Sequence, residues 1–296
     1  MIEIKPKVNE IHHSNSDLCD MQDHLPHTER AGQHDDLEHM PLIQLLECMN
    51  DEDQSVPLVV RNCIPAITEL IEHTATLMAR GGRLFYIGAG TSGRLGVVDA
   101  SECPPTFGID QGRVVGLIAG GDQAIRQAVE FAEDSETAGW EDLTRHQINA
   151  NDVVVGIAAS GRTPYVVAAL RTCRLNGIAT ACITCNENTA VAEHADFPIV
   201  AVTGPEFVTG STRLKAGTAQ KLILNMLSTG VMIRLGRVKG NRMVDMMPAN
   251  NKLIERGIRM IMDATQCDLS TAASLMHEHG NVRKAIEAFE INNSNL

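Results

Sequence analysis

Two short stretches carry residue types and spacings that could hold an anion. Gly88-Ala89-Gly90-Thr91-Ser92-Gly93 follows the apolar run at 83–87, has almost no side-chain bulk, and ends in hydroxyls where a helix would begin. Unpaired backbone N–H groups and the positive end of a helix dipole favour a phosphate at such a point. Ser160-Gly161-Arg162-Thr163-Pro164 repeats the arrangement after a second apolar run at 151–159, with a hydroxyl, a glycine, a cation, a candidate N-cap and a proline suited to the first helical position. If the two loops face one crevice, Ser92, Ser160, Gly161 and Thr163 can share a single phosphate.

GAGTSG also satisfies the GxGxxG spacing of dinucleotide folds. A dinucleotide site calls for an acidic residue at the end of the second strand, and Ala119-Gly120-Gly121 stands there, with Asp122 only afterwards. The pattern therefore favours a sugar phosphate, with a dinucleotide as the rival reading.

The elements that would position these loops alternate. Runs at 83–87, 113–119, 152–159, 179–185 and 197–202 read as buried strands, and 122–138, 163–176 and 211–235 as helices between or after them. Such alternation implies a parallel sheet in a three-layer α/β sandwich with right-handed crossovers. In the order 2-1-3-4-5, the first and third strands are neighbours whose following helices lie on opposite faces, and ligands bind where the order so reverses. Two helices are expected ahead of the sheet, at 37–50 and 56–78, the second interrupted by Pro65. Three more, at 250–264, 270–277 and 282–289, follow it, and residues 292–296 read as a frayed tail. The implied division is a flexible polar arm at 1–36, a sugar-phosphate domain with its leading helices at 37–240, and a helical region at 241–296.

The chain has 296 residues and a formal net charge of −12, which argues against nucleic acid or an anionic membrane surface as partner. No run of eighteen apolar residues and no secretory signal is present, so a cytoplasmic location is expected. Eight scattered cysteines read as reduced thiols. Cys182 and Cys185 form a CxxC inside an apolar run with no second pair at metal spacing, and the histidines at 12, 13, 24, 27, 34 and 39 fix no coordination geometry. No metal is expected.

The motifs YIGAGTSGRLGVVDASECPPTFG, VVGLIAGGDQAIRQAVEFAEDS, VVVGIAASGRTPYV and GPEFVTGSTRLKAGTAQKLILNMLSTG resemble the N-acetylmuramic acid 6-phosphate etherase family of SIS (sugar isomerase) folds, from about Leu37 to the C-terminal helices. The resemblance implies a homodimer that cleaves the lactyl ether of N-acetylmuramate 6-phosphate to N-acetylglucosamine 6-phosphate and D-lactate without metal or organic cofactor. It also implies a ubiquitin-associated-like helical region near the C-terminus. It assigns Glu102 of ASECPP as the acid and Glu133 of AEDS as the base, and puts the phosphate on Ser92, Gly93, Ser160, Gly161, Arg162 and Thr163. Related SIS folds include regulators such as the glucokinase regulatory protein, and aldose–ketose isomerases abstract a similar proton. A sugar-phosphate sensor and an isomerase are therefore the alternatives.

In the ring-opened sugar the ether at carbon 3 lies β to the aldehyde, so a base at carbon 2 and an acid at the departing oxygen suffice, each typically worth about 10²–10⁴-fold. Pro104-Pro105 is expected to end the helix carrying Glu102, leaving it at the negative helix end one turn from Asp99, where both effects would oppose ionisation. From pattern alone Glu102 reads first as a solvated surface residue, and Glu133, among Glu130, Asp134 and Glu136, as the wet face of a helix, so the nomination of both rests on the resemblance. Arg94 could add charge near the phosphate. Arg213 and Lys215 could complete the pocket or a dimer contact, and His277-Glu278-His279 reads as exposed helix. After Thr28-Glu29-Arg30 the family's customary Asn-Pro is replaced by Gly32-Gln33.

Overall fold

The computed structural model describes residues 25–294. The arm expected at 1–36 falls outside the described residues over 1–24. Five parallel strands, β1 (Leu84–Gly88), β2 (Val114–Ile118), β3 (Val153–Ile157), β4 (Ala179–Thr184) and β5 (Phe197–Val200), form one sheet in the order β2-β1-β3-β4-β5. Every residue of β1 and β3 is buried, as central strands covered on both faces must be. One face is covered by α2 (Ser55–Asn62), α3 (Ile64–Ala79), α4 (Gly90–Phe107) and α9 (Lys215–Arg234), where Val60, Leu70, Phe107 and Leu227 pack on Leu84, Tyr86 and Val155. The other is covered by α6 (Ala138–Arg145), α7 (Pro164–Leu175) and the short α8 (Ala190–Glu193), where Leu143, Val166, Leu170 and Val191 pack with Phe85, Ile87 and Val154. Strands β1 and β3 pair directly, Gly88 opposite Ile157, yet α4 and α7, which follow them, lie on opposite faces. Both loops therefore open at one crevice.

At the other edge of the sheet, fully buried Asp152 takes three hydrogen bonds from Arg83, at 2.9 Å from its N–H, 3.1 Å from Nε and 2.7 Å from Nη2. This pair locks the starts of β1 and β3 together.

Several elements differ from the sequence pattern. The helix expected from Leu37 begins only at α1 (Leu42–Asp53), after a single 3-10 turn at Leu37–His39, because Pro41 holds Met40 extended. Pro65 does separate α2 from α3. The helix expected over 122–138 is the short α5 (Gly121–Arg126); the chain then turns extended at Gln127 and passes through a left-handed Phe131 into a 3-10 turn at Ala132–Asp134. Helix α6, which the pattern missed, starts after Ser135, whose hydroxyl accepts the Ala138 N–H at 3.1 Å. Tertiary packing overrides propensity here: Phe131 is left 80% exposed while Leu143 becomes fully buried.

Pro104 and Pro105 do not end α4, which runs to Phe107 and stops at Gly108 in the left-handed conformation, its N–H on the Pro104 carbonyl at 2.9 Å. A Cβ at Gly108 would run into the Asp245 carbonyl. After α9, α10 (Asn251–Thr265), α11 (Leu269–His279) and α12 (Val282–Ser294) enclose a core of their own around Met260, Ile261, Met276 and Val282. They are tied back through Arg283, which donates to Asp245 at 2.8 and 2.9 Å. Helix α12 reaches Ser294, past the expected start of fraying at 292.

Candidate active site

A cavity of about 370 Å³ opens beyond the carboxyl ends of β1 and β3. Gly90, Thr91 and Ser92, the first residues of α4, form one wall; Ser160, Arg162, Thr163 and Pro164 at the start of α7 form the next. Two helix N-termini thus converge on one space, the arrangement that attracts a phosphate. Glu133 and Asp134 reach the rim from the 3-10 turn, which the break in the expected helix makes possible.

The loop residues divide by role. Ser92 lines the cavity, but its hydroxyl donates to Gln220 Oε1 of α9 at 2.9 Å. Gly93 does not line it: its N–H bonds the Ala89 carbonyl at 3.1 Å, and a Cβ there would sit 2.6 Å from Ile118 Cγ1. Gly161 likewise lies behind the wall. Its φ of +71° and its contact with Thr184 and Thr189 leave no room for a side chain, so it shapes the turn that presents Ser160 and Thr163. Ser160 Oγ accepts the Arg162 N–H at 3.3 Å, and the exposed Arg162 guanidinium is a cation at the mouth.

Glu102 is not brought into this cavity. It lies ten residues beyond Ser92 on α4, about 15 Å along the axis, on an exposed stripe with Val98 and Ser101. Because α4 continues past the prolines to Phe107, Glu102 is not at the negative helix end where the sequence pattern put it. Arg94 turns to the Ile125 carbonyl at 3.0 Å and borders a neighbouring hollow. Arg213 is exposed, whereas Lys215 is buried and pairs with Glu52 at 2.6 Å beside a second cavity. The fully buried Glu206 accepts the N–H groups of Lys215 and Ala216 at 2.8 and 3.0 Å, capping α9. Burial raises its carboxyl above the usual range, and those two donors oppose the shift.

Sequence reasoning missed Glu29 and Thr212, both of which line the cavity. Thr28 is fully buried, and the polarity that marked 1–36 as an arm conceals this. The CxxC thiols are buried and pushed up to about 12, which keeps them protonated as small hydrophobes. No helix among the described residues is long and apolar enough to cross a membrane.

Residues 66–174 match the glucokinase regulatory protein N-terminal SIS domain, and 129–230 the SIS domain. A Bacteroides fragilis crystal structure described as a phosphosugar isomerase involved in capsule formation shares the fold, with a TM-score of 0.50 and 20% identity over 67% of this chain and 94% of that one. The N-acetylmuramic acid 6-phosphate etherase of Christiangramia forsetii is 56% identical over 89% of this chain and 96% of its own length. That of Bacteroides fragilis is 52% identical over 94% of this chain and 99% of its own. Identity of this order over nearly the whole of each protein, with both anion loops, ASECPP and AEDS inside the aligned length, means that the chain belongs to the N-acetylmuramic acid 6-phosphate etherase family.

Proposed function

We propose that this chain cleaves the D-lactyl ether of N-acetylmuramate 6-phosphate, giving N-acetylglucosamine 6-phosphate and D-lactate. The observation that carries the reading is the convergence of two helix N-termini on a cavity whose rim holds Glu133. The 6-phosphate takes the N–H groups of Thr91, Ser92, Ser160 and Thr163 and the hydroxyls of Thr91, Ser160 and Thr163, with Arg162 supplying charge. In the opened sugar, Glu133 removes the carbon 2 proton, the carbon 3–oxygen bond breaks to leave an unsaturated aldehyde, and the departing lactyl oxygen takes a proton. Water then adds across the double bond, its oxygen to carbon 3, restoring the hydroxyl.

The acid in this reading is the partner's Glu102 in a homodimer. Two features support it: Glu102 is exposed on α4, and the same helical layer leaves Val98, Leu58 and Ile233 at least half exposed. Helix α1 buries no residue at all while exposing Leu42, Ile43 and Leu46, a surface suited to a second copy. A phosphorylated substrate does not cross a bilayer unaided, so the reading places the enzyme in the cytoplasm.

The test is D-lactate release from N-acetylmuramate 6-phosphate by the purified protein. Glu133→Gln and Glu102→Ala should each lower the rate by about 10²–10⁴-fold with sugar-phosphate binding retained. Ketose formation without lactate would establish the isomerase instead, and tight binding without turnover the sensor.

A further inference from the structure

Glu29 reaches the cavity from a segment that crosses the carboxyl edge of the sheet. The preceding residue is its anchor: Thr28 donates its N–H to Asn186 Oδ1 at 3.2 Å, and its hydroxyl accepts from Asn186 Nδ2 at 3.0 Å. The same amide donates to the Ala159 carbonyl at 2.9 Å, one residue before Ser160. Farther on, the Gly32 N–H meets Thr209 Oγ1 at 3.4 Å, a Cβ at Gly32 would stand 2.8 Å from the Glu206 carbonyl, and the His34 ring lies 5.2 Å from that of Phe207. The segment is thus held on both sides of Glu29.

Its carboxylate lies against the backbone of Gly210, with Oε2 3.3 Å from where a Cβ on that residue would be. Among the described residues, no cation or hydrogen-bond donor pairs with it. This exposed carboxylate borders a cavity whose two converging helix N-termini are built for an anion. It cannot serve the phosphate, because like charges repel. What it can take is a neutral donor on the same ligand.

We propose that Glu29 is a substrate-contacting residue of this site, its carboxylate accepting hydrogen bonds from hydroxyls of the sugar chain whose phosphate sits at the two helix N-termini. The inference rests on the sugar-phosphate reading above, and it assigns Glu29 the discrimination between a sugar phosphate and a bare phosphate. Thr28 acts through it, as a positioning residue.

The experiment compares binding of inorganic phosphate and of N-acetylglucosamine 6-phosphate to the wild type, Glu29→Gln, Glu29→Ala and Thr28→Val. Loss of a hydrogen bond to a charged group predicts that Glu29→Ala weakens the sugar phosphate by about 10- to 100-fold. Inorganic phosphate should bind as before or slightly more tightly, since a like charge has gone. Glu29→Gln, which keeps an acceptor and the volume, should fall between and decides the matter if the alanine variant does not fold; Thr28→Val should move in the same direction, less far. Equal weakening of both ligands would mean that Glu29 merely holds the segment, and no change would mean that it faces solvent; either overturns the proposal. So does a wild type that binds the sugar phosphate no better than phosphate. Wild-type binding with no lactate released would remove the etherase reading while leaving the assignment of Glu29 intact.

Discussion

Gly161→Ala tests whether the second anion loop is held as tightly as the structure implies. Gly161 has a φ of +71°, and an added Cβ would collide with the Thr189 side chain and lie 2.7 Å from Thr184 Oγ1. Both threonines are buried, Thr184 fully and Thr189 to all but 4%, so neither can swing out of the way. The left-handed backbone costs a non-glycine residue about 1–2 kcal/mol. Overpacking a filled site costs about 1–3 kcal/mol more, so the sum is about 2–5 kcal/mol. That is a large share of a typical domain stability of about 5–15 kcal/mol.

Gly177→Ala separates the two contributions. Gly177 has nearly the same φ, +69°, but nothing lies within 4 Å of an added Cβ, and it follows the far end of α7 from the cavity. It should show the backbone cost alone, with substrate affinity unchanged. Gly161→Ala should lower the melting temperature by about 3–8 °C. It should also weaken sugar-phosphate binding at least about tenfold, because the turn can relieve the collision only by shifting Ser160 and Thr163. Thermal melts and calorimetric titration of both variants read these effects. If Gly161→Ala melted no lower than Gly177→Ala and bound phosphate within twofold of wild type, the tight turn would be wrong.

Asp152→Ala would leave Arg83 without its buried partner and should cost about 3–5 kcal/mol in urea unfolding, with KM unchanged in the folded fraction because the pair sits at the opposite edge of the sheet. Asp99, on α4, accepts from Ser228 at 3.0 Å, and burial raises its carboxyl above the usual aspartate range despite the neighbouring Tyr86, Ser228 and Lys221. A raised carboxyl favours the protonated folded state, so its contribution is full below the ordinary aspartate value and is lost as pH rises through the raised one. Asp99→Asn should therefore gain stability relative to wild type as pH rises across that interval, seen as diverging urea midpoints; parallel midpoints would refute the assignment. Lactate release should survive dialysis against a chelator undiminished, and loss restored by a divalent ion would overturn the metal-free reading.

The sheet order was legible because the strands announce themselves. Runs such as Val153–Ile157 are apolar throughout, end at small residues, and alternate with helical segments, which leaves few parallel topologies open. Helix ends were less so. Tandem prolines read as a stop, yet α4 carries both in its final turn, and the residue that ends it is the left-handed Gly108. The 122–138 stretch has helical periodicity, but a period does not state which apolar residues will find a cover. Ala124 finds one and Phe131 does not.

The same distinction separates the legible half of the site from the hidden half. Ser92 and Thr163 sit in local motifs at helix starts, so a reading of a few neighbouring residues places them on the cavity. Glu29 lies in a segment where the family's Asn-Pro is missing, and its place depends on Thr28 meeting Asn186, 158 residues away in sequence. Surrounded by polar neighbours, a buried threonine looks like a solvated one. Glu102 fails in the opposite sense, for its motif is long and specific, yet within one protomer its helix carries it away from the cavity. A motif can mark a residue for chemistry without stating which copy of the chain uses it. If the partner supplies Glu102, mixing Glu102→Ala with Glu133→Gln protein should restore activity toward about one quarter of wild type, because half of the protomers pair as heterodimers and one of the two sites in each then unites both intact carboxylates. Mixtures as inactive as either variant alone, after subunit exchange has been verified, would require both groups to act within one protomer.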